Sequence, residues 1–173
     1  MTSLLLVLAI GRATADDYTL PTNLNETVLT PLGEVRGFTI RGICRADRVY
    51  IGDITDVESY QVTFHGRETI RSDVEITVSH PLKGSSPTRV YVEQVSGGTV
   101  GDRVVRSTHA ALNPTIGKRY LLAQMKAHDP RTGEEPWVVG ASLELDANVE
   151  IPQDSPKQFM EYVDQYCPAV LAP

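Results

Sequence analysis

The sequence predicts an all-β barrel or sandwich closed by one C-terminal helix, and three observations carry that prediction. Five or six short runs of alternating or β-branched residues are separated by turn-forming residues, with no helical pattern between them. Near the C-terminus the apolar spacing changes to that of a helix. Two cysteines, Cys44 and Cys167, bracket the whole region.

The first core strand is expected at Val49, Tyr50, Ile51 and Ile54, in the run CRADRVYIGDI that starts at Cys44. Its β-branched and aromatic side chains suit a pleated, half-buried surface. Residues 56–66 (DVESYQVTFHG) read as a strand continuation and a hairpin loop. The strictest alternation follows over residues 69–79, where Ile70, Val74, Ile76 and Val78 face one way and Arg71, Asp73, Glu75 and Thr77 the other. One face is therefore core and the other solvent. His80-Pro81-Leu82-Lys83-Gly84 ends this strand, because proline cannot donate to the ladder.

Residues 88–95 (TRVYVEQV) give the next strand. Ser96-Gly97-Gly98-Thr99 reads as a tight reversal in which glycine adopts positive φ, and residues 102–105 pair back. After a loop bracketed by Asn113-Pro114 and Gly117, residues 119–125 (RYLLAQM) have the continuous apolar character of a fully buried strand. The turn-rich stretch 128–136 leads to residues 137–145 (WVVGASLEL), where Ala141, Leu143 and Leu145 alternate with polar residues. In the helix, Ser155 is the expected N-cap, Pro156 the first helical residue and Gln158 the partner of a capping box. Phe159, Tyr162, Val163, Tyr166 and Cys167 then share one face, and Pro168 is expected to stop the helix.

Ahead of the barrel, LLLVLAIG and Ala13-Thr14-Ala15 read as a signal peptide over residues 1–15, cleaved after Ala15. The protein is then expected to be secreted or periplasmic. The apolar run is far shorter than the about 20 residues that span a bilayer, so no membrane insertion is expected. Residues 16–43 read as an extended N-terminal arm, in which residues 34–43 form an edge strand with Phe38 and Ile40 on one side. Residues 44–167 read as the domain and 168–173 as a tail. Asn25-Glu26-Thr27 is an N-glycosylation sequon.

The chain of 173 residues, 41% of them hydrophobic, fits one domain with an adequate core. Removal of the leader takes away Arg12 and leaves 15 basic against 22 acidic residues, a net charge of −7. Nucleic acid is not an expected partner, since its binders need a basic stripe and stacking aromatics, and aromatics make up only 6% here. An anionic membrane surface is disfavoured by the same charge.

Two cysteines in an exported chain point to one disulfide, Cys44–Cys167. Closing a loop of 123 residues stabilises a fold by about 4–5 kcal/mol on loop-entropy grounds. Without a CxxC pair or spaced histidines, the two thiols do not form a zinc site.

Four features in order carry a family resemblance. They are Cys44, Ala46 and Asp47 ahead of an apolar strand, a long strand ending in Leu82-Lys83-Gly84, the run Gly117-Lys118-Arg119-Tyr120-Leu121-Leu122, and a terminal helix ending in cysteine. Over residues 43–167 the chain resembles the netrin-like (NTR) domain, and most of all the N-terminal domain of the tissue inhibitors of metalloproteinases (TIMP-like). The resemblance implies an OB-fold, a closed five-stranded barrel with a C-terminal helix. It also implies a bond between the cysteine before the first strand and the one ending the last helix, the positions of Cys44 and Cys167. Those inhibitors chelate a protease's zinc through an N-terminal Cys-x-Cys. Here no cysteine precedes Cys44, so any inhibitor-like action takes another route. The family's partner-facing edge includes the loop Ser96, Gly97, Gly98, Thr99, Val100 and Gly101, which is the candidate partner-binding surface.

No catalytic, cofactor-binding or metal-binding motif is expected. His65, His80, His109 and His128 are scattered, and the acidic runs at Asp53, Asp56 and Glu58 and at Asp129, Glu134 and Glu135 lack calcium-loop spacing. The expected function is that of a secreted, non-catalytic protein-binding module whose partner is an extracellular or cell-envelope protein. The alternative is an oligosaccharide-binding OB domain, which requires a cleft lined by aromatics such as Tyr50, Tyr91 and Trp137.

Overall fold

The computed structural model describes residues 18, 21–64, 66–106, 111–128, 133–146 and 151–171. The expected leader lies outside them. The chain forms β1 (Thr27–Thr30), β2 (Gly33–Arg36), α1 (Gly37–Arg45), β3 (Arg48–Phe64), β4 (Arg67–Lys83), β5 (Arg89–Val100), β6 (Arg103–Arg106), β7 (Arg119–Lys126), β8 (Trp137–Leu145) and α2 (Ser155–Leu171). β1 and β2 make a small hairpin, and the rest form one antiparallel sheet in the order β6-β5-β4-β3-β7-β8.

The alternation read from the sequence places β4 correctly. Ile70, Val74 and Ile76 are buried, while Arg71, Asp73, Glu75 and Thr77 are only half-buried. β3 and β7 are central, and consecutive residues on them are buried because both faces of the sheet are covered. Val49, Ile51, Leu121 and Ala123 face a layer made by α1 and α2. Tyr50, Ile54, Tyr120 and Leu122 face the other way, where they join Val74, Ile76, Val90, Val92 and Leu112 in a second core.

The expected closed five-stranded barrel is not what forms. The sheet has six strands and curls into a half-barrel, with the second core in its hollow. β5 approaches β8 without forming a ladder with it. Two features occupy the place of closure. Beyond Ser96 the outer edge of β5 is taken by β6, from Gly97↔Arg106 to Val100↔Arg103. Ahead of β7, residues 111 and 112 lie in the gap, where the Ser142 hydroxyl donates to the Ala111 carbonyl and Leu112 is buried in the hollow.

The extended N-terminal arm is also corrected, because residues 27–45 are a hairpin and a helix built into the core. Val28, Val35, Ile40 and Ile43 are all buried beneath α2 and against the sheet. Residues 37–43 are helical rather than an edge strand, and Phe38 is 52% exposed. Ile40, Ile43 and Cys44 have i, i+3, i+4 spacing, and packing selects that helical stripe over the period of two. The helix lacks a side-chain cap; instead the Glu26 and Leu24 carbonyls accept from the N–H groups of Gly37 (2.8 Å) and Phe38 (2.9 Å). Gly42 allows α1 to approach β8, since a Cβ there would lie 2.5 Å from that of Ala141.

α2 carries its predicted face. Phe159, Tyr162, Val163 and Tyr166 are buried, and Cys167 packs against them. Two details differ from expectation. Gln158 N–H bonds the Asp154 carbonyl (2.9 Å), so the cap sits one residue before Ser155. Pro168 lies inside the helix, which continues to Leu171. The helix runs only three residues past it, so the missing donor touches the last turn alone.

The disulfide Cys44–Cys167 is present, with a Cα–Cα distance of 5.3 Å. It joins the end of α1 to α2. The Tyr166 hydroxyl adds a bond to the Pro21 carbonyl, and Tyr18 meets Tyr162 edge-on at 6.3 Å. No helix among the described residues is long and apolar enough to cross a membrane.

Candidate functional site

Three strands build the candidate site through a relay of hydroxyls. Thr99 N–H donates to Ser59 Oγ on β3 (3.3 Å), Ser59 and Ser72 Oγ are 2.9 Å apart, and Ser72 donates to the Gly97 carbonyl (2.7 Å). Ser72 is fully buried, so this relay supplies the partners that its hydroxyl and the Gly97 carbonyl need. Gly98 fits above it with φ 142°, and a Cβ there would lie 2.3 Å from Ser72 Oγ and 2.5 Å from Ser59 Oγ. Only glycine meets both conditions. β5 thereby bends away from β4 and toward β6.

The bend leaves a cleft of about 610 Å³ at the open end of the half-barrel. One side is formed by Ser96, Gly97, Gly98 and Thr99 on β5 with Val104, Val105 and Arg106 on β6; the other by Asn113, Pro114 and Thr115 with Glu144 on β8. A second cleft, of about 670 Å³, flanks the same ribbon and shares Ser96, Gly97 and Val105. Phe64, Arg67, Glu68, Thr69 and Arg71 complete it, with the Arg71 guanidinium 4.9 Å above the Phe64 ring.

The far side of the first cleft is held by polar contacts. The Tyr120 hydroxyl donates to the Asn113 carbonyl (3.0 Å) and lies 3.4 Å from Glu144 Oε2. Burial, and next the charge of Glu144, push the Tyr120 phenol above its ordinary range. Lys118 Nζ sits 2.9 Å from Glu144 Oε1, and that hydrogen bond raises the lysine. On the near side Arg103 is committed to Glu68 (3.5 Å) and to that residue's carbonyl (3.0 Å). Arg106 is exposed, with no acidic partner among the described residues.

Of the six residues picked from the sequence, Ser96, Gly97, Gly98 and Thr99 line the cleft, whereas Val100 and Gly101 do not. The expected reversal at Ser96–Thr99 falls instead at Gly101-Asp102, because β5 runs on to Val100. Sequence reasoning missed Arg106, Asn113 to Thr115 and Glu144. The Asn113-Pro114 pair marked a loop, but nothing local placed it opposite β6.

The aromatics of the oligosaccharide alternative do not make a platform. Tyr50 is fully buried and its phenol is pushed strongly upward by burial. Tyr91 is 63% exposed while its neighbours Val90 and Val92 point into the hollow. The half-buried Trp137 ring lies beneath Arg48, whose guanidinium carbon is 3.9 Å from the ring centroid. Arg48 itself is buried and donates to Gln124 Oε1 (2.7 Å), and among the described residues the Gln124 amide nitrogen and the Tyr50 hydroxyl have no hydrogen-bond partner.

Other singled-out residues are dispersed. His80 and His128 are exposed, and His65 and His109 lie outside the described residues, as does Asp129. Asp53 pairs with Arg119 (2.8 Å). Asn25 of the sequon is exposed in a turn, its N–H bonded to Asn23 Oδ1 (3.0 Å). No protein-family model matches the chain, and no curated protein matches it.

Proposed function

We propose that this chain is a non-catalytic protein-binding module acting outside the cell or in the cell envelope, and that it binds through the cleft beside Ser96 to Thr99. The observation that carries the reading is that the glycine-rich ribbon is not a simple surface turn. It is fixed by a buried hydroxyl relay so as to hold open two adjacent clefts. A recognition surface needs such pre-organisation, since ordering a loop on binding lowers affinity.

The netrin-like reading of the fold belongs to this proposal. The strand order β5-β4-β3-β7-β8, with β5 drawn toward β8, suits a partly open OB barrel whose last junction is occupied by β6 and Leu112. Inhibition of a protease by a route other than zinc chelation is one form such binding takes. Export is supported by the disulfide and by the leader-like residues 1–15.

The test is affinity capture from native extracellular fluid with the disulfide-bonded protein and with a Thr99→Arg/Thr115→Arg variant. Both side chains are exposed at the cleft. We expect a protein retained by the wild type and lost by the variant at unchanged melting temperature. Equal retention by both would remove the cleft from the function.

A further inference from the structure

We infer that the cleft takes an extended, acidic segment of a partner protein, which adds as a strand to the outer edge of β6. This rests on the reading of the cleft as a protein-binding site and specifies what enters it.

The first support is the backbone. β6 is the terminal strand of the sheet, and among the described residues only its inner edge, toward Gly97–Val100, is paired. In an antiparallel hairpin with a two-residue turn, the pair flanking the turn exchanges the hydrogen bonds, and outward-facing residues alternate from there. Val100 and Arg103 flank the turn, so Val104 and Arg106 direct their N–H and C=O groups outward along the cleft. An extended guest satisfies those groups by strand addition.

The second is space. A four-residue strand rises about 3.3 Å per residue, lies about 4.8 Å from its neighbour and is about 10 Å thick, so it sweeps roughly 630 Å³. The cleft offers about 610 Å³ beside a strand of four residues.

The third is chemistry, and it selects the guest. Val104 is 59% exposed at the centre of the edge, an apolar contact for a β-branched residue of the guest. Glu144 across the cleft is neutralised by Lys118 and Arg103 by Glu68, which leaves Arg106 as the uncompensated charge among the described lining residues. A carboxylate is its complement. A second copy of β6, added antiparallel, would bring arginine against arginine at both ends, and like charges directly opposite are destabilising. The short, basic edge thus discourages self-pairing while remaining open to an acidic strand.

The experiment uses the disulfide-bonded protein and two fluorescein-labelled probes, the peptide Thr-Glu-Thr-Val-Thr-Glu, whose Val and a Glu lie two apart on one face to meet Val104 and Arg106, and its lysine counterpart, followed by fluorescence anisotropy. Wild type should bind the acidic peptide saturably and at least tenfold more tightly than the basic one. Val104→Pro removes the outward N–H at an edge position that tolerates proline, and should weaken the acidic peptide at least tenfold at unchanged melting temperature. Arg106→Glu should invert the preference between the two peptides. Equal binding by wild type and Val104→Pro, or no binding of the acidic peptide by wild type, overturns strand addition. If native partner capture survives Val104→Pro and Arg106→Glu but is lost in Thr99→Arg/Thr115→Arg, the cleft reading stands and this inference fails. A concentration-dependent dimer abolished by Val104→Pro, or saturable binding of a chitin oligosaccharide in the cleft, would equally replace the acidic strand.

Discussion

The two faces of the sheet are sealed by different means. On the face covered by α1 and α2, residues from the N-terminal hairpin, both helices and four strands interlock in one core of aliphatic and aromatic side chains, and a disulfide joins the covering helices. In the hollow of the half-barrel the core is smaller and is made almost entirely by the sheet's own side chains plus Leu112. It ends in polar residues, Arg48 and Gln124 at one end and the Ser59–Ser72 relay at the other. Burial of apolar area is the main favourable term in folding. The difference therefore assigns stability to the helical face, and leaves the hollow and its rim to carry shape.

The largest effect that tests this contrast comes from Phe159→Ala. The ring is fully buried at the centre of the helical face, and its removal should cost about 3–5 kcal/mol in urea unfolding. Val92→Ala in the hollow removes two methyl groups and should cost about 1.5–2 kcal/mol. Val163→Ala beneath the helices gives the like-sized comparison, and a loss at Val92 equal to that at Val163 would erase the distinction between the faces.

An effect smaller than that at Phe159 probes the polar end of the hollow. Gln124→Ala leaves the buried Arg48 guanidinium without its acceptor and should cost about 2–3 kcal/mol. The double variant Arg48→Met/Gln124→Leu removes both partners and the unpartnered amide, so it should stay within about 1 kcal/mol of wild type. If the double variant is as unstable as the single, the pair stabilises the hollow rather than merely being tolerated there.

The smallest effect is one of pH. Burial, and next the neighbouring Tyr166, push the Tyr162 phenol up to about 12, above its ordinary value near 10. The unfolded chain therefore loses this proton first as pH rises. The stabilisation is complete below about pH 10 and fades between about pH 10 and about 12. Tyr162→Phe should flatten the fall in urea midpoint across that window, and an unchanged slope would show that other groups govern the alkaline limb.

Much of the strand layout was legible because alternation is a local property. Ile70, Val74 and Ile76 declare their face without reference to the rest of the chain. What was not legible depended on partners distant in sequence. α1 has neither an N-cap side chain nor an acidic first turn, and its first N–H groups are satisfied by the carbonyls of Leu24 and Glu26. β8 offers a second case. A register shift at Ala123/Gln124 turns the strand over, so that Val139 packs in the hollow while Ala141 and Leu145 pack beneath the helices. The cleft was half legible: Gly97-Gly98 announced an unusual backbone, but Ser59 and Ser72, which require Gly98, come from two other strands.

The crosslink between Cys44 and Cys167 spans the helical layer and leaves the sheet's two lateral margins untethered. Between β5 and β8 the described contacts are non-covalent, among them the Ser142 hydrogen bond to the Ala111 carbonyl and the burial of Leu112. The molecule thus concentrates its one covalent crosslink on the helical back, and the geometry of the mouth rests on non-covalent contacts such as the Ser59–Ser72 relay.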